Sequence, residues 1–174
     1  MHSAGFKPWV LLYTVNVTPT DEETVNGVFL NRPGVAVLRW EPKSRAVCIE
    51  WQGWADPTEF AAALEAGLGA LVEHRGSRWL ADCRDMKAIQ QSDQEWLDRS
   101  WFPRMIAAGL QRMAVVIPKS GLVMTNLEDI MRKVPGNEID VAWFATVAEA
   151  ETWITAPSGK TPATLEAQKS PVIT

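Results

Sequence analysis

Between Trp79 and Ile117 the sequence leaves few choices for the architecture of the chain. Trp79-Leu80-Ala81-Asp82 is short and rich in large apolar side chains, which suits a strand. Ser92-Asp93-Gln94-Glu95 has the spacing of a capping box. It opens a helix with Trp96, Leu97, Trp101, Met105 and Ile106 on or near one face. Pro103 should kink that helix or split it, because proline lacks an N–H and its ring collides with the preceding turn. Gly109 closes it. Met113 to Ile117 is continuously apolar, the pattern of a parallel strand covered on both faces. Strand, helix, strand is a βαβ unit with a right-handed crossover. In folds built on that unit, ligands collect beyond the carboxyl ends of the strands. The loop after Asp82 is therefore the first place to look for a site.

The flanking segments extend the scheme. Val35 to Trp40 and Ala46 to Trp51 enclose Glu41-Pro42-Lys43-Ser44, where Pro42 presets a turn, so the pair reads as an antiparallel hairpin. Pairing Glu41 with Ala46 sets Ala36, Leu38 and Trp40 opposite Trp51, Ile49 and Val47 on one face. Arg39, Cys48, Glu50 and Gln52 then share the other, a separation that a one-residue slip would scramble. Asp56, Pro57 and Glu59 begin a helix that continues through Phe60, Leu64, Leu68, Leu71 and Val72, with Gly76 as its stop. Gly67 and Gly69 each weaken it by about 1 kcal/mol relative to alanine, which close packing on the sheet would make tolerable. Leu122, Val123, Leu127, Ile130, Met131 and Val134 suit a third amphipathic helix, although a capping box at Thr125-x-x-Glu128 would start it later. Ile139, Val141 and Trp143 alternate as a last strand, and Thr146-x-x-Glu149 caps a last helix.

The expected fold is α/β: a single-domain mixed β-sheet with an N-terminal antiparallel hairpin, then βαβ crossovers, packed by four helices. Residues 35–156 form this domain. Residues 1–34 hold a strand at Trp9–Val17 and a loop, and residues 157–174, rich in proline, serine and threonine, form a tail.

Composition narrows the function. Seventeen Lys and Arg against 21 Asp and Glu give a net charge of −4, whereas binding of nucleic acid needs clustered positive charge. Cys48 and Cys83 fall on separate strands without C-x-x-C spacing, so the expectation is reduced thiols in the cytoplasm rather than a disulfide framework or zinc site. The apolar run Trp9–Val17 is about half a membrane span, and it lacks the flanks of a signal peptide. Neither a transmembrane segment, a metal nor a cofactor is expected.

The candidate site residues are Asp82, Arg84, Asp85, Ser92, Trp96 and Trp101. The first three form an acidic loop suited to a cation or a phosphorylated partner, or else Asp82 caps a turn and Arg84 pairs with a carboxylate. Two local carboxylates are few for a metal. Ser92 is either a helix cap, which contributes ~1 kcal/mol, or a hydroxyl whose phosphate the helix N-terminus would stabilise. Trp96 and Trp101 either pack the core or line an apolar pocket between sheet and helix. Cys83 makes a poor nucleophile, since Asp82 and Asp85 raise its pKa. His74 is the sole histidine beyond the N-terminus and suits a helix C-terminus. It has no convincing partner for a catalytic relay. Ser158-Gly159-Lys160-Thr161 ends like a phosphate-binding loop, but Ile154 stands where the first glycine belongs.

W-L-A-D-C-R-D-M at 79–86, S-D-Q-E-W at 92–96, W-F-P-R at 101–104 and G-L-Q-R-M-A-V-V-I-P at 109–118 resemble the STAS superfamily, the bacterial anti-sigma-factor antagonists. F-A-T-V-A-E-A-E-T-W-I at 144–154 and W-Q-G-W at 51–54 extend the resemblance, which is nearest to the uncharacterised bacterial STAS/SEC14-like group. In the antagonists a serine in an Asp-Ser-Ser-Gly stretch before a helix is phosphorylated. The corresponding stretch here is Gln90-Gln91-Ser92-Asp93, without the acceptor dipeptide and its glycine. The resemblance implies a regulatory or protein-interaction module without catalysis, with a protein partner or a second copy of the chain as its ligand. The SEC14-like side of it implies instead an apolar or lipid-like ligand in a cleft between the sheet and the Trp96–Met105 helix.

Overall fold

The computed structural model describes residues 27–134, 136 and 138–157. The strand expected at Trp9–Val17, the Ser158–Thr161 segment and the tail beyond Pro157 lie outside them. Six strands form one sheet in sequence order: β1 (Val28–Arg32), β2 (Ala36–Glu41), β3 (Ala46–Trp51), β4 (Arg78–Asp82), β5 (Arg112–Val116) and β6 (Asp140–Phe144). The first two pairings are antiparallel and the remaining three parallel. Between and after them come α1 (Pro57–Glu73), α2 (Gln91–Trp96), α3 (Phe102–Ala107), α4 (Gly121–Lys133) and α5 (Val147–Thr155).

The β2–β3 register is the expected one, with Ala36, Leu38 and Trp40 facing Trp51, Ile49 and Val47. Alternation sends these six toward the main core, where α1, α2, α3 and α4 pack. Arg39 and Cys48 face the other side, which α5 covers through Ala150, Trp153 and Ile154. β1 was not anticipated. Its signal is Pro33-Gly34 between two apolar runs: Gly34 has φ +78° and Val35 N–H donates to the Arg32 carbonyl at 3.0 Å. A Pro-Gly turn of that kind closes a hairpin, so the sheet starts at Val28 rather than at Val35.

Capping chemistry sets most helix starts. Asp56 with Glu59 and Thr146 with Glu149 form the expected capping boxes. Ser120 caps α4 by accepting from Val123 N–H, which excludes the later start at Thr125 and leaves Leu122 67% exposed instead of on the apolar stripe. The helix over α2 and α3 runs unbroken through Leu97–Trp101, which is wound as a π-helical turn. Pro103 neither splits nor ends it. The wider turn sits just ahead of the proline, where an insertion relieves the clash. At the end of α1, the left-handed residue is Arg75 (φ 51°), not Gly76. Gly76 is needed for space instead, since a Cβ there would lie 2.9 Å from the Trp40 ring.

The same logic separates the two glycines inside α1. A Cβ on Gly67 would stand 2.3 Å from the Trp79 ring, whereas one on Gly69 would meet nothing within 4 Å. Gly67→Ala should therefore destabilise the protein by ~1–3 kcal/mol, as overpacking does, although alanine is the better helix former. Gly69→Ala should stabilise it by ~0.5–1 kcal/mol. Urea unfolding of the two variants checks this; shifts of the same sign would mean that helix propensity alone decides.

Candidate functional site

The rim beyond the carboxyl ends of β3, β4 and β5 is built by three loops that hold one another. Lys87 N–H in the β4–α2 loop donates to the Gly53 carbonyl of the β3–α1 loop at 3.1 Å. Lys119 N–H, after β5, donates to the Arg84 carbonyl at 3.1 Å. The Ile89 carbonyl accepts from Asn126 Nδ2 on α4 at 3.3 Å and from Gln94 Nε2 on α2 at 3.2 Å. A loop whose backbone groups are bonded on both sides is preorganised, and that lowers the entropic cost of binding.

Asp82 ends β4 with its side chain buried, and Arg84 closes on it. Asp82 Oδ1 accepts from Arg84 Nε at 2.9 Å and from Arg84 N–H at 3.2 Å, while Oδ2 accepts from Nη2 at 2.7 Å. This is a two-pronged fork with a turn cap, the strong form of the pair. It raises the Arg84 pKa, chiefly through the hydrogen bonds with Asp82. Asp85 instead pairs with Lys119 Nζ at 2.7 Å, which holds its carboxyl below the usual range. Both partners are exposed, so the pair adds little to stability. The acidic loop thus consists of two internally compensated ion pairs. Among the described residues no cluster of three or more His, Cys, Asp or Glu could hold a metal ion.

Ser92 does not cap α2. The helix begins at Gln91, with Gln90 extended at the cap position and its carbonyl accepting from the N–H groups of Asp93 and Gln94. Ser92 is already the second helical residue, two positions past the cap, too far in for its hydroxyl to serve the first turn. Its side chain is exposed. Trp101 lies in the core, 2% exposed, its Nε1 donating to the Leu64 carbonyl at 3.1 Å. Its ring meets Trp79 edge-on at 5.1 Å. Trp96 is half-buried against the same core. Between these rings and the sheet remains an apolar cavity of about 50 Å³, against ~300–1,000 Å³ for a small-molecule pocket. Core packing accounts for the aromatic stripe, and a lipid-like molecule finds no room there. Cys83 faces that cavity, and burial pushes its thiol up, as it pushes Cys48 up to about 11.

Two rim residues had drawn no notice. Lys119 is the partner of Asp85, and only the tertiary fold brings it there. Trp54 is 52% exposed on the β3–α1 loop; its signal was the W-Q-G-W phrase, whose first tryptophan is buried and second is not.

This is a sheet of mixed sense with its rim loops at the ends of parallel strands. A family model described as SpoIIAA-like matches residues 46–155. The chain belongs to the SpoIIAA-like family. That places it in the STAS superfamily and makes it a STAS-type regulatory or interaction module. Among curated proteins, none matches the chain. Within the described residues, no helix is long and apolar enough to cross a membrane.

Ser92→Ala should change stability by less than ~0.5 kcal/mol, the usual range for a surface site, while Asp56→Ala should cost ~1 kcal/mol by removing a working cap. Chemical unfolding of both variants would test this, and a comparable loss for Ser92→Ala would restore its capping role. The thiols give a second check. Cys48 ionises near 9.0 when unfolded and about 11 when folded. Its stabilising contribution is therefore full below the lower value and is lost as the pH rises toward the higher one. At pH 8 an exposed-thiol reagent should leave both cysteines unmodified until denaturant is added.

Proposed function

We propose that this SpoIIAA-like chain is a non-catalytic regulatory module of the cytoplasm that docks a partner protein on its rim. The observation that supports this reading is the joining of the β3–α1, β4–α2 and β5–α4 loops into one preformed surface. The three loops leave Trp54, Arg84 and Lys87 exposed, and the Lys87 backbone is bonded to Gly53, the residue before Trp54. Tryptophan and arginine are among the residue types that dominate binding energy in protein interfaces. Asp82 and Asp85 serve this surface by setting the directions of Arg84 and Lys119. Ser92, relieved of capping, stands exposed at the start of α2, and a phosphate there would change the charge that a partner meets. Trp96 and Trp101 act beneath the rim by holding α2 and α3 against the sheet.

The test is cross-linking and affinity capture from extracts of the native host, followed by titration with the purified partner. Trp54→Ala should weaken the complex by ~30-fold or more, the scale of a central interface tryptophan. Lys87→Glu should slow association, and Glu73→Lys, at the distant end of α1, should leave it unchanged. A partner that binds all three variants as tightly as the unaltered chain would remove the rim from consideration.

A further inference from the structure

At the opposite end of the sheet, where the parallel strands begin, two arginines lie together. Arg78 and Arg112 are directly paired across β4 and β5, so both side chains stand on the α5 face. They converge on one atom: the Ala156 carbonyl oxygen accepts from Arg112 Nη1 at 2.8 Å and from Arg78 Nη2 at 3.5 Å. Arg78 Nη1 also donates to the Ser44 carbonyl at 3.2 Å. Arg112 is 3% exposed, and its guanidinium carbon lies 3.8 Å from the centre of the Trp153 ring.

Neither arginine forms an ion pair among the described residues; those present all use other side chains. Asp140 is next to Arg112 in the β5–β6 register, yet it is exposed and forms none of them. Among the described residues, the buried side-chain donors without a partner are Arg112 Nε and Trp153 Nε1, which belong to the stacked pair itself. Burial, and then the like charge of Arg78, pull the Arg112 pKa down, and the carboxylate of Asp140 offsets only part of this.

Buried charge is ordinarily paired, because the desolvation penalty is otherwise uncompensated. The C-terminus of α5 offers about half an elementary negative charge, too little to balance two guanidinium groups. An ordered water could accept from the two spare N–H groups, but it would leave the charge as it is. We propose that Arg78, together with Arg112 stacked on Trp153, forms an oxyanion site that takes a carboxylate or phosphate group. Half-buried Arg78 is its solvent side. The planar fork of arginine suits that chemistry better than a lysine would.

Calorimetric titration of the full chain with inorganic phosphate, and separately with acetate, at constant ionic strength tests the site. Saturable binding is expected, weakened at least tenfold in Arg78→Gln and unchanged in Arg99→Gln. Arg78→Lys, which keeps the charge and the chain length, should weaken it less and carries the test if Arg78→Gln does not fold. Binding of both anions identifies a carboxylate-accepting site, and binding of phosphate alone a phosphoryl site. No saturable binding, or equal binding by the unaltered chain and Arg78→Gln, overturns the proposal and leaves the arginines as a cap on α5.

Discussion

The packing of Trp79 against Gly67 is the contact on which the rest depends. Trp79 is almost wholly buried in β4, and its ring occupies the space that any side chain on Gly67 would need. Trp101 meets that ring edge-on and donates its indole N–H to the Leu64 carbonyl of α1. One aromatic pair therefore ties a central strand, the first helix and the long crossover helix together. An edge-on pair is worth ~0.5–1.5 kcal/mol beyond the area it buries. The indole bond adds specificity, because an unmet N–H at that depth would be penalised. The π-helical turn at Leu97–Trp101 belongs to the same arrangement. It leads into Pro103 while Trp101, at its last position, is buried in the core.

With the interior fixed in this way, the ends of the sheet are left to act. At the carboxyl ends of the strands, each carboxylate of the β4–α2 loop is occupied by a cation, and the backbone of the loop is held from both sides. Such a rim has little freedom to lose when something binds. The interior offers little comparable capacity, since the cavity beneath Trp101 is several-fold too small for an organic ligand. At the amino ends, by contrast, two arginines are gathered with no ion-pair partner among the described residues. The two ends thus differ in kind: one is a finished surface, the other a site with donors to spare.

Much of this was legible in the order of residues. The hairpin register followed from alternation alone, because slipping β2 against β3 by one residue would have exposed Leu38 and Ile49. The capping boxes at Asp56 and Thr146 were readable because their side chains act within one turn. The same spacing misled at Ser92. A capping box requires extended backbone at its first residue, and that depends on where the preceding loop delivers the chain. β1 escaped notice for the converse reason: its run is short, and only the Pro33-Gly34 turn marks it.

The sequence by itself determined the α/β alternation, the buried face of the β2–β3 hairpin, and the placing of an acidic loop at the end of β4, since periodicity and turn chemistry are local properties. Tertiary structure alone decided that Asp85 would meet Lys119, that Trp54 would be exposed while Trp51 is buried, and that Arg78 and Arg112 would share a carbonyl at the end of α5. Those outcomes join residues far apart in the chain. They exist only once the sheet has brought its strands into register.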